Sequence, residues 1–205
     1  MKRVLLAITL LFASVSVTNA QISAVAFSRG TNVIEAGVGI GGYYNYFTAD
    51  YSQSPPIMLT YENSIVDPFG SGMLGLGGQV SYQSSNTSWN DIYNYSDKYT
   101  FELVAVRSAY HIKSRIVPKL DMYAGITVGY LFYQHIFNTN DPNPDRPSSP
   151  GYSAYSGLGA ETHFQYGGYA GARYYFGNTF GVHLEIVIMN NGYNYIGVGL
   201  SIRLQ

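Results

Sequence analysis

Ionisable side chains recur at alternate positions of several segments, and a reactive site would have to be built from them. A lipid-deacylating site on the outer surface of a β-sheet would want a Ser and a His close together on one strand, with a carboxylate nearby on the same surface. No His in the chain has a Ser two residues away, and His183 shares its face of the segment with Glu185. We therefore predict that the chain is not an enzyme and has no catalytic residues.

Metal and cofactor sites are not expected either. The four histidines lie in separate segments without the spacing typical of metal ligands, and the chain has no Cys. The glycine-rich run 37–42 resembles a phosphate-binding loop, but it lies within a strand pattern and no helix follows it. The formal net charge of −1 gives no reason to expect nucleic acid binding. We predict no metal, no cofactor and no nucleic acid partner.

The alternative role for these charges is ion pairing inside the protein. Successive side chains of a strand point to opposite faces, so the position of a residue in this alternation, its parity, predicts whether it faces inward. Buried charges are costly unless they are paired, so we expect Glu35 and Glu185 to meet arginines from other strands. Tyr123, Tyr169 and Gln165 are expected to fill the remaining space. The predicted internal charge network consists of Glu35, Arg107, His111, Arg173, His183, Glu185 and Arg203.

Strict alternation identifies the elements that would position these side chains. Near the C-terminus, Ile196, Val198 and Leu200 alternate with small or polar residues, the signature of a strand with one apolar face. The segments 57–63 and 100–111 show the pattern more weakly, and Glu102 breaks the apolar parity of the second. We predict eight strands, at residues 34–41, 57–63, 74–82, 100–111, 120–133, 165–176, 180–189 and 195–204.

The N-terminus has the features of a secretory signal peptide. Basic residues at positions 2 and 3 precede an apolar run, 4–17, and small residues then offer a cleavage site before Gln21. A membrane anchor is the alternative, but the run is shorter than the roughly 18–20 residues of a spanning helix. We predict a signal peptide at residues 1–20 and one domain at residues 21–205.

The links between the predicted strands differ in length. The links at 44–56, 84–98 and 134–156 are long and polar, and most of the others are short. Long links on one side, with an even number of strands of about ten residues, are typical of bacterial outer-membrane barrels. A soluble barrel would carry charge outside, but only 11% of the residues are charged, against roughly 25% in soluble domains. We predict an all-β fold, an eight-stranded antiparallel up-and-down transmembrane β-barrel.

Several motifs also resemble those of a known family. Together they resemble the small outer-membrane β-barrel family of Bacteroidota, which is similar in architecture to OmpX and the OmpA transmembrane domain. The resemblance implies an eight-stranded barrel, in a family whose members mostly have no assigned activity. Barrels of this kind often end on an aromatic residue, whereas this chain ends Leu204-Gln205. The motifs are PPIMLTYE at 55–62, AYH at 109–111, YAG at 123–125 with GY at 129–130, and GARYYF at 171–176.

These observations predict an integral protein of the Gram-negative cell outer membrane, with a lumen filled by side chains and a structural or surface-interaction role. Its long links would be displayed outside the cell. The alternatives are an accessory subunit of a larger outer-membrane complex and a small channel. The expected partners are outer-membrane lipid and lipopolysaccharide, with other outer-membrane proteins or surface ligands contacting the long links.

Overall fold

The computed structural model describes residues 26–42, 51–70, 72–89, 95–113, 117–138 and 159–204. The predicted signal peptide and most of the link at 134–156 lie outside these residues. The described chain consists almost entirely of strands, and among its residues no helix is long and apolar enough to span a bilayer. The strands are β1 (Asn32–Gly42), β2 (Tyr51–Gln53), β3 (Ile57–Val66), β4 (Gly72–Trp89), β5 (Tyr95–Lys113), β6 (Leu120–Asn138), β7 (Gly159–Tyr175), β8 (Phe180–Met189) and β9 (Asn194–Leu204).

The strands close into a barrel. Each pairs with its neighbours in antiparallel fashion, in the order β2-β4-β3-β1-β9-β8-β7-β6-β5, and a further β4–β5 pairing closes the circle. β2 and β3 follow one another along the same strand, since Tyr51 lies opposite Thr87 and Ile57 opposite Tyr82, both on β4. They count as one barrel strand. The predicted closed, eight-stranded antiparallel fold is therefore confirmed.

The two faces of the wall differ as the alternation predicts. Along β8, every second residue is buried, and the buried set includes His183 and Glu185. The residues between them are apolar and exposed on the outside, with Leu184 at 52% and Ile188 at 64% exposure. Charged residues thus line the inside of the barrel, and aliphatic residues cover the outside.

Strand lengths differ from the prediction. β4, β5, β6 and β7 contain 18, 19, 19 and 17 residues, well above the expected ten or so. The predicted link at 84–98 is wrong for most of its length, because β4 and β5 pair from Ser84 opposite Thr100 to Trp89 opposite Tyr95. The link at 44–56 likewise contains β2. These segments are polar on both faces, so they pair as strands without showing alternation.

The barrel has two distinct ends. At one end lie Ala26, Arg203 and the short turns that join β3 to β4, β5 to β6 and β7 to β8, and we call this the short-turn end. At the opposite end β8 and β9 are joined by the tight turn Asn190–Gly192, in which Asn191 has a φ of 55°. β4 to β7 extend past this turn as a continuation of the wall.

Candidate functional site

Arg173 is the centre of a fully buried ion cluster in the lumen near the short-turn end. Its guanidinium donates from Nε and Nη2 to the two carboxylate oxygens of Glu35, at 2.7 and 3.1 Å. Nη1 donates to Asp121 at 3.1 Å, and Nη2 also donates to Glu62. One cation therefore joins three carboxylates that come from β1, β3 and β6. Charge-assisted bonds of this kind are among the strong hydrogen bonds in proteins.

His111 bridges two of the same carboxylates. Its Nδ1 lies 2.9 Å from Asp121 and its Nε2 lies 2.7 Å from Glu62. An ionised carboxylate only accepts hydrogen bonds, so with both carboxylates ionised each ring nitrogen must carry a hydrogen. In that state the ring is a second cation in the cluster and offsets part of the charge that Arg173 alone leaves unbalanced.

A second buried ion pair lies beside this cluster. Arg107 Nη2 contacts Glu185 Oε2 at 2.5 Å, and the hydroxyl of Tyr123 donates to the same oxygen at 3.1 Å. Arg107 Nη1 donates to Gln79 at 3.1 Å, and its guanidinium carbon lies 3.7 Å from the centre of the Tyr169 ring. Tyr123 also lies 4.3 Å beneath the guanidinium of Arg173, so its ring separates the two ion groups.

Ser201, His183 and Glu35 form a trio that has the residue types of a hydrolase triad but not its geometry. Ser201 donates to Glu35 at 2.8 Å, and His183 uses Nδ1 for contacts with both Ser201, at 3.2 Å, and Glu35, at 3.3 Å. A catalytic His instead uses opposite ring nitrogens for the nucleophile and the carboxylate. Ser201 is also fully buried, so the hydroxyl is not open to a substrate. The trio is suited to satisfying Glu35, not to acyl transfer.

The seven residues of the predicted network are all buried on the inner face. Six of them take part in the contacts described above, whereas Arg203 lies at the short-turn end. Its Nε donates to the Asn178 carbonyl at 2.7 Å and its Nη1 to the Ala26 carbonyl at 3.0 Å. Its guanidinium lies 4.8 Å from the Tyr175 ring. Arg203 therefore connects β9 with the turn before β8 and with the residues that precede β1, all at the short-turn end.

Two members of the ion cluster, Glu62 and Asp121, are absent from the predicted network. Asp121 lies two residues before the inward-facing Tyr123, so the alternation along the strand already indicated that Asp121 faces inward. Glu62 lies on a strand whose alternation is weak. Gln165 was expected to fill space in the lumen and to hydrogen-bond to the polar groups that remain there. Both of its side-chain amide atoms are instead buried without a hydrogen-bond partner. Among the described residues, no group of three His, Asp or Glu side chains is arranged to hold a metal ion.

An apolar layer fills the lumen beyond the ion pairs, on the side away from the short turns. Tyr195 accepts a hydrogen bond from Gln79 Nε2 at 2.6 Å, which connects this layer to the Arg107 pair. Tyr193, in the turn before β9, contacts Ser81 at 3.1 Å, and burial raises the pKa of its phenol. The layer consists mainly of Met58, Phe101, Leu103, Leu131, Val187, Met189, Tyr193 and Tyr195.

No protein-family model matches the chain, and no curated protein matches it. Among solved structures, the N-terminal β-barrel domain of Pseudomonas aeruginosa OprF is 14% identical, with a TM-score of 0.45, covering 85% of this chain and 98% of that chain. The Yersinia pestis outer membrane protein Ail in a phospholipid bilayer nanodisc is 12% identical, with a TM-score of 0.44. The match covers 85% of this chain and 99% of that chain. The outer membrane protein OprG from Pseudomonas aeruginosa is 9% identical, with a TM-score of 0.45. The match covers 87% of this chain and 97% of that chain. The likeness is one of fold.

Proposed function

We propose that the chain is an integral outer-membrane barrel with a side-chain-filled lumen and a surface role at the end opposite the short turns. The observation that carries this proposal is the inverted distribution of side chains. Glu185 is 2% exposed inside the wall, whereas its neighbour Leu184 is 52% exposed outside it. In water, an outer surface of large aliphatic side chains would promote aggregation. In a bilayer, the same surface is solvated by acyl chains.

The outer surface also has the layered composition of a membrane barrel. We call the outward-facing aliphatic side chains of the wall, such as Leu184 and Ile188 on β8, the aliphatic band. Aromatic side chains lie at both of its edges, with Tyr130 and Phe164 in contact at one edge and Tyr174 and Phe176 at the other. Such girdles are typical where a barrel meets the lipid headgroups. On β8 and β9 the band covers about nine residues per strand, the length that crosses a bilayer when strands are tilted. This band supports outer-membrane lipid, including lipopolysaccharide, as the immediate partner.

The surface role is supported by the part of the wall that continues past the band. On the outer face of β4 and β5, apolar residues give way beyond Tyr82 to Ser84, Asn86, Thr100 and Lys98. The hydrogen-bonded ladder nevertheless continues to Trp89 opposite Tyr95. A rigid, polar extension of this kind is suited to presenting links to molecules outside the membrane. The motifs at 55–62 and 171–176 support assignment to the Bacteroidota barrel family.

Membrane insertion is tested by folding the purified chain into lipid vesicles. We expect a folded species that migrates differently before and after boiling in gel electrophoresis and that sediments with the vesicles. In cells, the protein should fractionate with the outer membrane after processing near residue 20. A chain that folds as a monomer in buffer without lipid or detergent would contradict the proposal.

A copurification experiment distinguishes a free surface barrel from an accessory subunit. Extraction in mild detergent should yield the protein alone if the barrel acts by itself. Recovery of a larger outer-membrane protein in fixed proportion would support the accessory role instead. Recording from planar bilayers, described in the Discussion, tests the small-channel alternative.

A further inference from the structure

Residues 26–31 lie across the mouth of the barrel at the short-turn end. They precede β1 and do not belong to the sheet, yet Ala26 and Phe27 are each only 2% exposed. The Ala26 amide donates to the Pro118 carbonyl at 2.8 Å, and the Ala26 carbonyl accepts from Arg203 at 3.0 Å. Ala26 therefore lies between the turn before β6 and the end of β9.

Phe27 points from this segment onto the ion cluster. Its ring stacks on the His111 imidazole, with centroids 3.7 Å apart and planes inclined by 17°. The guanidinium of Arg173 lies 5.8 Å from the same ring, and Val33 and Met73 pack against it to form a small apolar cluster. The Phe27 ring thus separates the buried ions from the short-turn side of the molecule.

The attachment of this segment differs from that of the strands. β1 is held by continuous ladders to β3 and β9, whereas residues 26–31 are held by the Phe27 ring, by the two bonds of Ala26 and by the bonds of Ser28 and Thr31 with Ser64 on β3. Gly30, with a φ of 83°, lies in a turn near the β1 end of the segment. Segments held by few bonds open at lower free energy than paired strands. Opening of the segment would leave the β1 ladders to β3 and β9 intact.

We propose that residues 26–31 are a stopper that seals the short-turn mouth of the lumen, with Phe27 as its anchor. When the stopper is seated, water is kept from the cluster of Arg173, His111 and their carboxylates. When it swings out about Gly30, the cluster becomes accessible from that side. This proposal does not depend on the membrane role, because it concerns only contacts within the barrel.

The chain has no Cys, so a single introduced thiol reports access to the lumen without background. Met73→Cys places the thiol under the Phe27 ring, where the native side chain is buried. The full-length protein, folded in detergent micelles, is treated with a polar maleimide. With Phe27 present, we expect slow labelling. Phe27→Ala should raise the labelling rate roughly 10- to 100-fold, because a buried aromatic side chain and its stacking contact are lost.

Two controls make the result specific. Phe69→Cys, at an exposed position of the same end, should label rapidly in both backgrounds. Arg29→Ala, which changes an exposed side chain within the same segment, should leave the protection of Met73→Cys unchanged. Gel mobility before boiling establishes that each variant is folded.

Two outcomes would overturn the proposal. One is that Met73→Cys labels as fast as Phe69→Cys while Phe27 is present. The other is that protection persists unchanged in Phe27→Ala. If Phe27→Ala does not fold, Phe27→Leu replaces it, because leucine keeps an apolar side chain but cannot stack on His111. Its labelling rate should then lie between those of the parent and Phe69→Cys, and a rate equal to that of the parent would count against the stopper.

Discussion

The guanidinium of Arg107 on β5 contacts the carboxylate of Glu185 on β8 at 2.5 Å, although β6 and β7 lie between their strands in the wall. The pair therefore crosses the lumen and does not follow the sheet. Both side chains are almost completely buried, at 4% and 3% exposure. Such a contact couples parts of the barrel that share no backbone hydrogen bonds.

Removing one partner of this pair should destabilise the barrel strongly. In Glu185→Ala, Arg107 loses its carboxylate and keeps only neutral partners such as Gln79. Stranding a buried charge costs about 3–5 kcal/mol. Urea unfolding in lipid vesicles should show a loss of this size. Glu161→Ala is the matched control, since it removes a carboxylate that is 65% exposed on β7 and should change stability by less than about 0.5 kcal/mol.

A charge on the outer face should be costly only within the aliphatic band. Leu184 lies near the middle of β8 and faces outward. We expect Leu184→Arg to reduce the free energy of folding in vesicles by about 2–4 kcal/mol, the cost of arginine near the bilayer midplane. Thr100→Arg places the same charge on the outer face above the band and should cost little. Equal effects of the two substitutions would contradict the assignment of the lipid-facing surface.

Some inward glycines are required because the neighbouring strand lies too close for a side chain. A Cβ at Gly199 would lie 2.1 Å from the Ala36 carbonyl oxygen and 2.5 Å from Gly37 Cα. These are backbone atoms of a paired strand, so relief would require the backbones of β1 and β9 to move apart locally. Gly199→Ala should lower stability by at least about 1–3 kcal/mol, the usual range for overpacking.

Gly78→Ala is the control for this prediction. The nearest atom to a Cβ at that position is the Ala105 carbonyl oxygen, at 3.5 Å, which is an ordinary contact. We expect this substitution to leave unfolding within about 0.5 kcal/mol of the parent. A loss at Gly78 as large as that at Gly199 would show that glycine flexibility, and not close approach, is the cause.

The inner and outer faces could be predicted from the sequence because a strand has a side-chain period of two. On β8, that rule correctly placed His183 and Glu185 inside and Leu184 outside. It fails where both faces have the same polarity. Residues 84–88 are Ser, Ser, Asn, Thr and Ser, so they carry no alternation, although they are fully paired in the ladder. This is why β4 and β5 were predicted too short.

The partners across the lumen could not be predicted in the same way. Parity says that Glu35 and Arg173 both face inward, but which inward residues meet depends on the tilt and stagger of the strands. Alternation carries no information about stagger, so it could not show that Glu35, Glu62 and Asp121 all meet Arg173. Phe27 was missed for another reason, since it precedes the first strand and belongs to no repeating pattern.

The orientation in the membrane should be detectable by proteolysis of intact cells. The links on the side away from the short turns carry more acidic than basic residues, whereas basic residues occur at the end of β5, at Lys113, and in the link that follows it, at Arg115 and Lys119. We expect added protease to cut within 138–153, because its four prolines are unfavourable in a sheet ladder. Most of that segment lies outside the described residues. Cleavage near Lys113 with protection of 138–153 would reverse the orientation.

The barrel should not conduct ions. An eight-stranded barrel leaves an interior only wide enough to be filled by side chains. Here the lumen is occupied by the ion pairs of Arg173 and Arg107 and, beyond them, by an apolar layer that includes Leu103 and Leu131. An ion would have to displace the paired charges and then pass the packed side chains of this layer, and separating buried ion pairs is costly in a low-dielectric interior. Planar-bilayer recordings of the purified, folded protein should therefore remain at baseline. Steady, reproducible single-channel steps would instead favour a small pore, in which case Glu185→Ala should change its ion selectivity.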